Sequence, residues 1–211
     1  MPDKIIISRI EFTNPRKKLY TLFDNNQLLA EVNEDTLVHF GISRERILSN
    51  KEFENIIAYD KEIQCRNQAY KYLQRKPYLK KELYKKLAGK HFTNAIIEKT
   101  FHTLERNNYI NDQEYIKMFI RDAVKKAKDG PLLVRKKLLE KGADLPDVNE
   151  QIEKLFPFQF QVEIATNLLQ KKMSKLADSE SYVKKKKMIQ YVSGRGFSWE
   201  TIEAVFNIIG L

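Results

Sequence analysis

The chain has 211 residues, with 38 Lys and Arg against 28 Asp and Glu and a formal net charge of +10. Hydrophobic residues make up 42% and aromatics 11%, enough to form a core, which excludes wholesale disorder. The one cysteine, Cys65, permits no internal disulfide and no Cys-based zinc site, and no apolar run approaches the ~20 residues of a membrane span. The opening MPDKIIISRIEF lacks an apolar stretch followed by small residues, so it does not read as a signal peptide. A reduced, cytoplasmic, soluble protein is expected.

The first sixty residues read as β-containing. Lys4 to Thr13 alternates loosely, and LYTLFD (Leu19 to Asp24) and QLLAEV (Gln27 to Val32) are short apolar runs around Asn25-Asn26. Asn tolerates positive φ, so this dipeptide can close a tight hairpin. Three short strands are predicted, followed by a short helix that opens on acidic residues after Asn33 and stops at Gly41. Ser49-Asn-Lys-Glu52 has the spacing of a capping box and starts a longer helix.

From about residue 61 only helices of roughly 10–18 residues fit between the breakers Pro77, Gly89, Gly130-Pro131, Gly142, Pro146, Pro157 and Gly194-Gly196. With Phe92, Ala143 and Phe197 in register, six apolar columns align without a gap. Nine residues before them lie Leu83, Val134 and Met188, and five before lie Leu87, Leu138 and Val192. Five after come Ile97, Val148 and Ile202; nine after come Phe101, Ile152 and Phe206; twelve after come Leu104, Leu155 and Ile209. The early offsets share one face of a helix and the late ones share a face of the next, with the reference residue plugging the corner. His91, Gly142 and Gly196 stand where a left-handed helix terminus is needed. Thr93, Ser198 and Asp144 or Leu145 are placed to start the following helices. A further amphipathic helix precedes each pair: Arg66 to Arg75, Asp112 to Lys128, and Gln159 to Ser174. The expected fold is mainly α, with three tandem three-helix repeats in an elongated array after a small N-terminal region with a β-hairpin or three-stranded element and helix. The expected boundaries are 1–60, 61–110, 111–157 and 158–211.

Charge follows the same division. Residues 1–60 hold 8 Lys and Arg against 10 Asp and Glu, a net of −2, leaving +12 for the rest. The cations cluster on the second helix of each repeat: Lys80, Lys81, Lys85, Lys86 and Lys90; then Arg135, Lys136, Lys137 and Lys141; then Lys184, Lys185, Lys186, Lys187 and Arg195. Stacked repeats would align these into a basic stripe suited to a continuous polyanion; the rival reading is solvated helix lysines. Four consecutive lysines, Lys184 to Lys187, sweep ~300° around a helix, so they project beyond its neighbours or snorkel. Arg75, Arg121 and Arg195 can make bidentate contacts to phosphate or carboxylate, although Arg121 has Asp112 and Asp122 as rival partners. Asp112, after Asn111, reads as an N-cap. Tyr70, Tyr72, Tyr78, Tyr84, Tyr109 and Tyr115 read as core or rim packing, with base stacking as the alternative, and Trp199 reads as rim packing.

Catalytic patterns are weak. His39, His91 and His102 share no metal-ligand spacing with one another or with Cys65, and no phosphate loop occurs, since Gly194-Arg195-Gly196 follows a helix rather than a strand. No enzyme, metal or cofactor is expected.

Several ordered segments give the chain a family likeness. They are Ala69-x-x-Tyr72-Leu73-x-Arg75-x-x-Tyr78-x-x-x-Glu82-Leu83-x-x-x-Leu87, Asn108-Tyr109-Ile110-Asn111-Asp112, Phe119-x-Arg121-Asp122, Lys128-x-Gly130-Pro131, Lys136-x-Leu138-x-x-Lys141-Gly142, and Gly194-Arg195-Gly196-Phe197-Ser198 with Ile202-x-x-Val205. Over about residues 62–211 the chain resembles the RecX regulators of the recombinase RecA. Leu132-Leu133-Val134-Arg135 and Ala143 depart from that pattern and read as packing variation. The resemblance implies a non-enzymatic partner of the RecA filament that restrains recombinase, ATPase and coprotease activities, with weaker binding to single- and double-stranded DNA. The chain is expected to be monomeric. The alternative from the residues is a direct DNA-binding protein with helix-turn-helix-like units that hold the phosphate backbone. Its third helices begin with neutral or acidic residues, which disfavours base reading.

Overall fold

The computed structural model describes residues 4–173 and 181–210. The described chain is mainly helical, with small antiparallel sheets at its N-terminal side. The strands are β1 (Lys4–Ile6), β2 (Arg9–Asn14), β3 (Leu19–Asp24), β4 (Gln27–Asn33) and β5 (Ile47–Ser49). β2, β3 and β4 form an antiparallel meander, while β1 pairs with β5 in a second sheet. The expected hairpin is present: Asn25 and Asn26 both take positive φ (44° and 69°), the pattern of a type I′ turn. The single strand expected over Lys4 to Thr13 is instead two. Ile7 and Ser8 break the pairing, because Ile7 N–H donates to Arg46 O and Ser8 N–H to Phe23 O.

Helix α1 (Glu34–His39) ends as expected at Gly41, whose φ is +58°. Helix α2 (Asn50–Leu73) runs unbroken across the position expected to divide the N-terminal region from the first repeat. Its first half covers the sheet through Phe53, Ile56 and Ile57, burying Ile7, Leu22, Val32, Ile42 and Leu48. Its second half packs against α4.

The capping box at the start of α2 is complete. Ser49 N–H and hydroxyl donate to Glu52 Oε2 at 2.8 and 2.7 Å, and Glu52 N–H donates to Ser49 Oγ at 3.2 Å. The Ser49 backbone bond, then its hydroxyl, holds the Glu52 carboxyl below its ordinary value of 4.5. A lowered folded-state pKa contributes stability that is present above the unfolded value and fades as pH falls through the folded one. Glu52→Gln is therefore expected to show a smaller fall in melting temperature between pH 7 and pH 3 than the parent. Equal falls would mean that the carboxylate contributes no acid dependence.

The remaining helices are α3 (Lys80–Ala88), α4 (Asn94–Arg106), α5 (Asp112–Lys126), α6 (Pro131–Lys141), α7 (Leu145–Leu155), α8 (Phe158–Met173), α9 (Ser181–Gly194) and α10 (Trp199–Ile209). Ser174, the expected end of α8, lies outside the described residues. The repeat columns are the core: Leu83, Val134, Met188, Leu87, Leu138, Val192, Ile97, Val148, Ile202, Phe101, Ile152 and Phe206 are all buried. In the last column Leu104 is buried while Leu155 and Ile209 are half-buried, and at the corner Phe92 is half-buried. His91, Gly142 and Gly196 all take left-handed φ (65°, 97° and 83°).

Two compact units emerge from the packing. The first comprises the residues up to Pro77 together with Leu83–Ile110; the second comprises Tyr78–Glu82 and the residues from Asn111 onward. In the second unit the role expected of Asp112 changes. Asn111 is the N-cap of α5, its side chain accepting from Glu114 N–H at 3.1 Å. Asp112 instead accepts from Lys80 N–H at 2.8 Å, satisfying a donor in the first turn of α3.

Candidate functional site

The second helices carry the cations, and packing divides those cations into two groups. On α6, Arg135 and Lys137 are half-buried. Lys137 forms an ion pair with Asp129, while Lys141 lies 3.6 Å from Glu82 and Lys136 lies 3.9 Å from Glu140. Glu82 is at the start of α3, so Lys141 ties α6 to that turn. The stem of Lys81 covers Gly142, where an added Cβ would come within 2.6 Å of Lys81 Cδ. Lys137, Lys141 and the Lys81 stem thus hold parts of the second unit together, whereas Lys136 is exposed and its partner lies one turn along the same helix.

Arg195 belongs to the same group. Its Nη1 donates to Lys128 O at 3.3 Å and lies 3.8 Å from Asp129, and its guanidinium carbon stands 5.3 Å from the Tyr191 ring centroid. Asp129 thus takes Lys137 from α6 and Arg195 from the end of α9. The backbone does the same, since Gly130 N–H donates to Arg195 O at 2.7 Å and Leu132 N–H to Gly196 O at 3.0 Å. Unpaired carbonyls at the end of α9 meet unpaired amides at the start of α6, and the opposed helix dipoles favour that meeting. Pro131, the first residue of α6, has no N–H to leave unpaired.

The second group is open to solvent. Lys81, Lys85, Lys86 and Lys90 are exposed, as are Lys185, Lys186 and Lys187, while Lys184 and Lys80 are half-buried. Lys86 Nζ sits 5.6 Å from the Tyr72 ring centroid, and Lys185 Nζ lies 5.5 Å from that of Phe206. Lys185 thus sets its ammonium over the ring of buried Phe206, a cation–π contact. Arg75 and Arg121 are exposed, and Asp122, a rival partner for Arg121, pairs with Lys126 at 3.7 Å.

Among the tyrosines, Tyr78 and Tyr115 are core residues and Tyr70, Tyr72 and Tyr84 are half-buried. Tyr109 and Trp199 are not core, at 55% and 62% exposed, and Tyr109 meets the Tyr70 ring. Sequence reasoning also missed a cleft in the first unit bounded by the ends of α2 and α4, and the bridging role of Asp129. Only the charge of Asp129, next to the Gly130-Pro131 helix start, signalled the latter.

Among the described residues the one cysteine is not an activated nucleophile. Cys65 is fully buried, and burial pushes its thiol up against a smaller opposing effect of a Thr100 hydrogen bond, so little thiolate forms. His39 stacks on Tyr59 with centroids 4.4 Å apart. Among the described residues no three His, Cys, Asp or Glu side chains gather as a metal site, and no helix is long and apolar enough to cross a membrane.

Known proteins share this fold. Residues 65–104 match the first three-helix domain of RecX and residues 159–206 match the third. The regulatory protein RecX of Lactococcus lactis subsp. cremoris (strain SK11) is 31% identical over 200 residues, covering 92% of this chain and 74% of that protein. The Streptococcus uberis protein of the same description is 27% identical over 197 residues, covering 93% and 75%. A crystal structure of regulatory protein RecX superposes with a TM-score of 0.77 at 21% identity, covering 96% of this chain and 99% of that one. RecX from Lactobacillus salivarius does so with a TM-score of 0.68 at 23% identity, covering 72% and 98%. The structural likenesses speak for the fold, and the sequence likeness to the Lactococcus protein speaks for descent. The chain belongs to the RecX family of regulatory proteins.

Proposed function

We propose that the chain regulates the recombinase RecA by binding RecA and its DNA filament, chiefly inhibiting recombinase, ATPase and coprotease activity without chemistry of its own. It acts as a cytoplasmic monomer, with weaker affinity for single- and double-stranded DNA. The observation that carries this reading, beside the family, is the division among the cations. Lys85 and Lys90 at α3 and Lys186 and Lys187 on α9 are exposed, whereas Lys137 and Lys141 of α6 pair with carboxylates within the fold. Open lysines on the second helices of the first and third three-helix units suit a polyanionic partner better than a small ligand. Arg75 and Arg121 join this contact set as exposed guanidinium groups. The absence of Arg or Asn positions suited to base edges at the starts of α7 and α10 favours contact with backbone and protein over sequence readout.

The direct test is titration into RecA on single-stranded DNA with ATP hydrolysis as the readout. A dose-dependent fall is expected. No effect at any ratio, alongside tight binding to naked DNA, would favour the direct DNA-binding alternative. Replacing Lys184, Lys186 and Lys187 together by Gln is expected to weaken filament binding. The slope of log affinity against log salt should flatten by about 2 to 3, given roughly 0.7–0.9 for each phosphate no longer neutralised. An unchanged slope would show these lysines to be merely solvated.

A further inference from the structure

The cleft in the first unit is built by two helix ends. Tyr70, Leu73, Gln74 and Pro77 lie at the end of α2 and just beyond it, and Asn108 and Tyr109 follow α4; together they line a cavity of about 580 Å³. That volume lies within the ~300–1,000 Å³ range of small-molecule clefts. The turn after α4 holds its shape through backbone alone. Asn108 is left-handed at φ 55°, Asn108 N–H donates to Glu105 O at 2.9 Å, and Tyr109 N–H donates to Leu104 O at 2.8 Å. This is a Schellman motif, in which the residue at the Tyr109 position usually packs back on its own helix. Here the Tyr109 ring meets Tyr70 edge to face, with centroids 5.0 Å apart, and stays 55% exposed.

We infer that this cleft receives an unpaired nucleobase of single-stranded nucleic acid. An exposed aromatic face on a rigid turn is a stacking platform, and the Gln74 and Asn108 amides each offer both donors and an acceptor to a base edge. Leu73 and Pro77 add apolar lining. The charge around the cleft fits the strand that would carry the base. Lys71 adjoins Tyr70 in the sequence, Arg75 adjoins Gln74, and Arg106 closes α4; all three are exposed, ready for phosphates on either side of the base. This rests on the affinity for single-stranded DNA proposed above and gives it a site, and its test needs no recombinase.

The test uses the full chain and a short oligothymidylate carrying one 2-aminopurine, whose fluorescence reports stacking. Binding is expected to change the fluorescence on single strands and leave the matching duplex unchanged. Tyr109→Phe should behave as the parent. Tyr109→Ala should lose the signal and bind roughly tenfold more weakly, the scale of a single base–aromatic stack. Gln74→Ala, which leaves both rings in place, should keep the signal with reduced affinity. Parent-like binding and signal in Tyr109→Ala would overturn the proposal, as would failure of the parent chain to bind the oligonucleotide. Loss of binding to DNA-free RecA in Tyr109→Ala, with oligonucleotide affinity intact, would place a peptide in the cleft and equally overturn it.

Discussion

Replacing Gly196 by alanine is expected to lower stability by roughly 2–4 kcal/mol, seen as a clear drop in melting temperature. Two effects combine. The residue sits at φ +83°, where an L side chain is strained, and its new Cβ would fall 2.3 Å from Leu133 N and 2.5 Å from Leu133 Cβ. A flexible side chain could swing away, but the backbone at the start of α6 cannot without breaking the two bonds from Gly130 and Leu132 N–H. Gly130 faces the same contact from the other side, since a Cβ there would lie 2.5 Å from Gly196 O. Gly130→Ala should therefore also destabilise, through crowding alone, its φ being an ordinary −82°. Gly194 supplies the control. It ends α9 with nothing within 4 Å of an added Cβ, so Gly194→Ala should be neutral or stabilise by up to about 1 kcal/mol. Equal melting temperatures for the 194 and 196 variants would refute this account of the junction.

That junction marks how far the sequence is legible. The Gly196 turn and its counterparts at His91 and Gly142 are readable because a left-handed helix terminus restricts residue choice, and because apolar columns at −9, −5, +5 and +9 repeat around them. Local chemistry writes such features into short windows. That Gly130 and Gly196 face each other is not readable, because they are 66 positions apart and only the packed backbone brings them together. The same holds for β5, whose three residues pair with β1 across the whole N-terminal region. The unbroken α2 is hidden for another reason: its first half is patterned against a sheet and its second against α4, so one helix reads as two. Asp112 reads as the cap of α5 because Asn111 and Asp112 are both good caps, and only the approach of Lys80 decides between them.

The candidate site was half legible. Net charge and its concentration on second helices came from composition, yet the division into structural and open cations depends on distant carboxylates. Nothing near Arg195 in the sequence points to Asp129, and nothing near Lys141 points to Glu82. Neutralising Asp129 would thus be felt in folding before binding, whereas Lys186 and Lys187 stand exposed. Tyr109 shows the opposite case. Aromatic residues at helical spacing are usually core, and the left-handed Asn108 before it redirects the ring into an open cleft.

Asp60→Ala should prove the most damaging single change in the first unit, costing on the order of 3–5 kcal/mol. Asp60 lies on α2 and is 2% exposed. Its Oδ1 accepts from Asn33 N–H at 2.7 Å, Asn33 Nδ2 at 3.0 Å and Thr36 Oγ1 at 2.6 Å, and its Oδ2 accepts from Gln64 Nε2 at 2.7 Å. Three of those donors belong to the junction between β4 and α1, so one carboxylate fastens the sheet and α1 to α2. It also takes the Asn33 side chain away from capping α1, which has no side-chain cap bond. Alanine would leave the buried Thr36 hydroxyl and the Asn33 groups without an acceptor, and each orphaned donor costs about 1–3 kcal/mol. Asp60→Asn separates geometry from charge. Its amide oxygen can take the three Oδ1 donors while Gln64 turns to offer its own oxygen to the new NH2, so the loss should fall to about 1–2 kcal/mol. Thermal melts of the three proteins decide the matter. If Ala and Asn variants melt together, the carboxylate acts through charge and not through the bonds it accepts; if Asn stays near the parent, Asp60 is the pin that seats α2 on the sheet, from which the helix runs on to Tyr70 and Gln74.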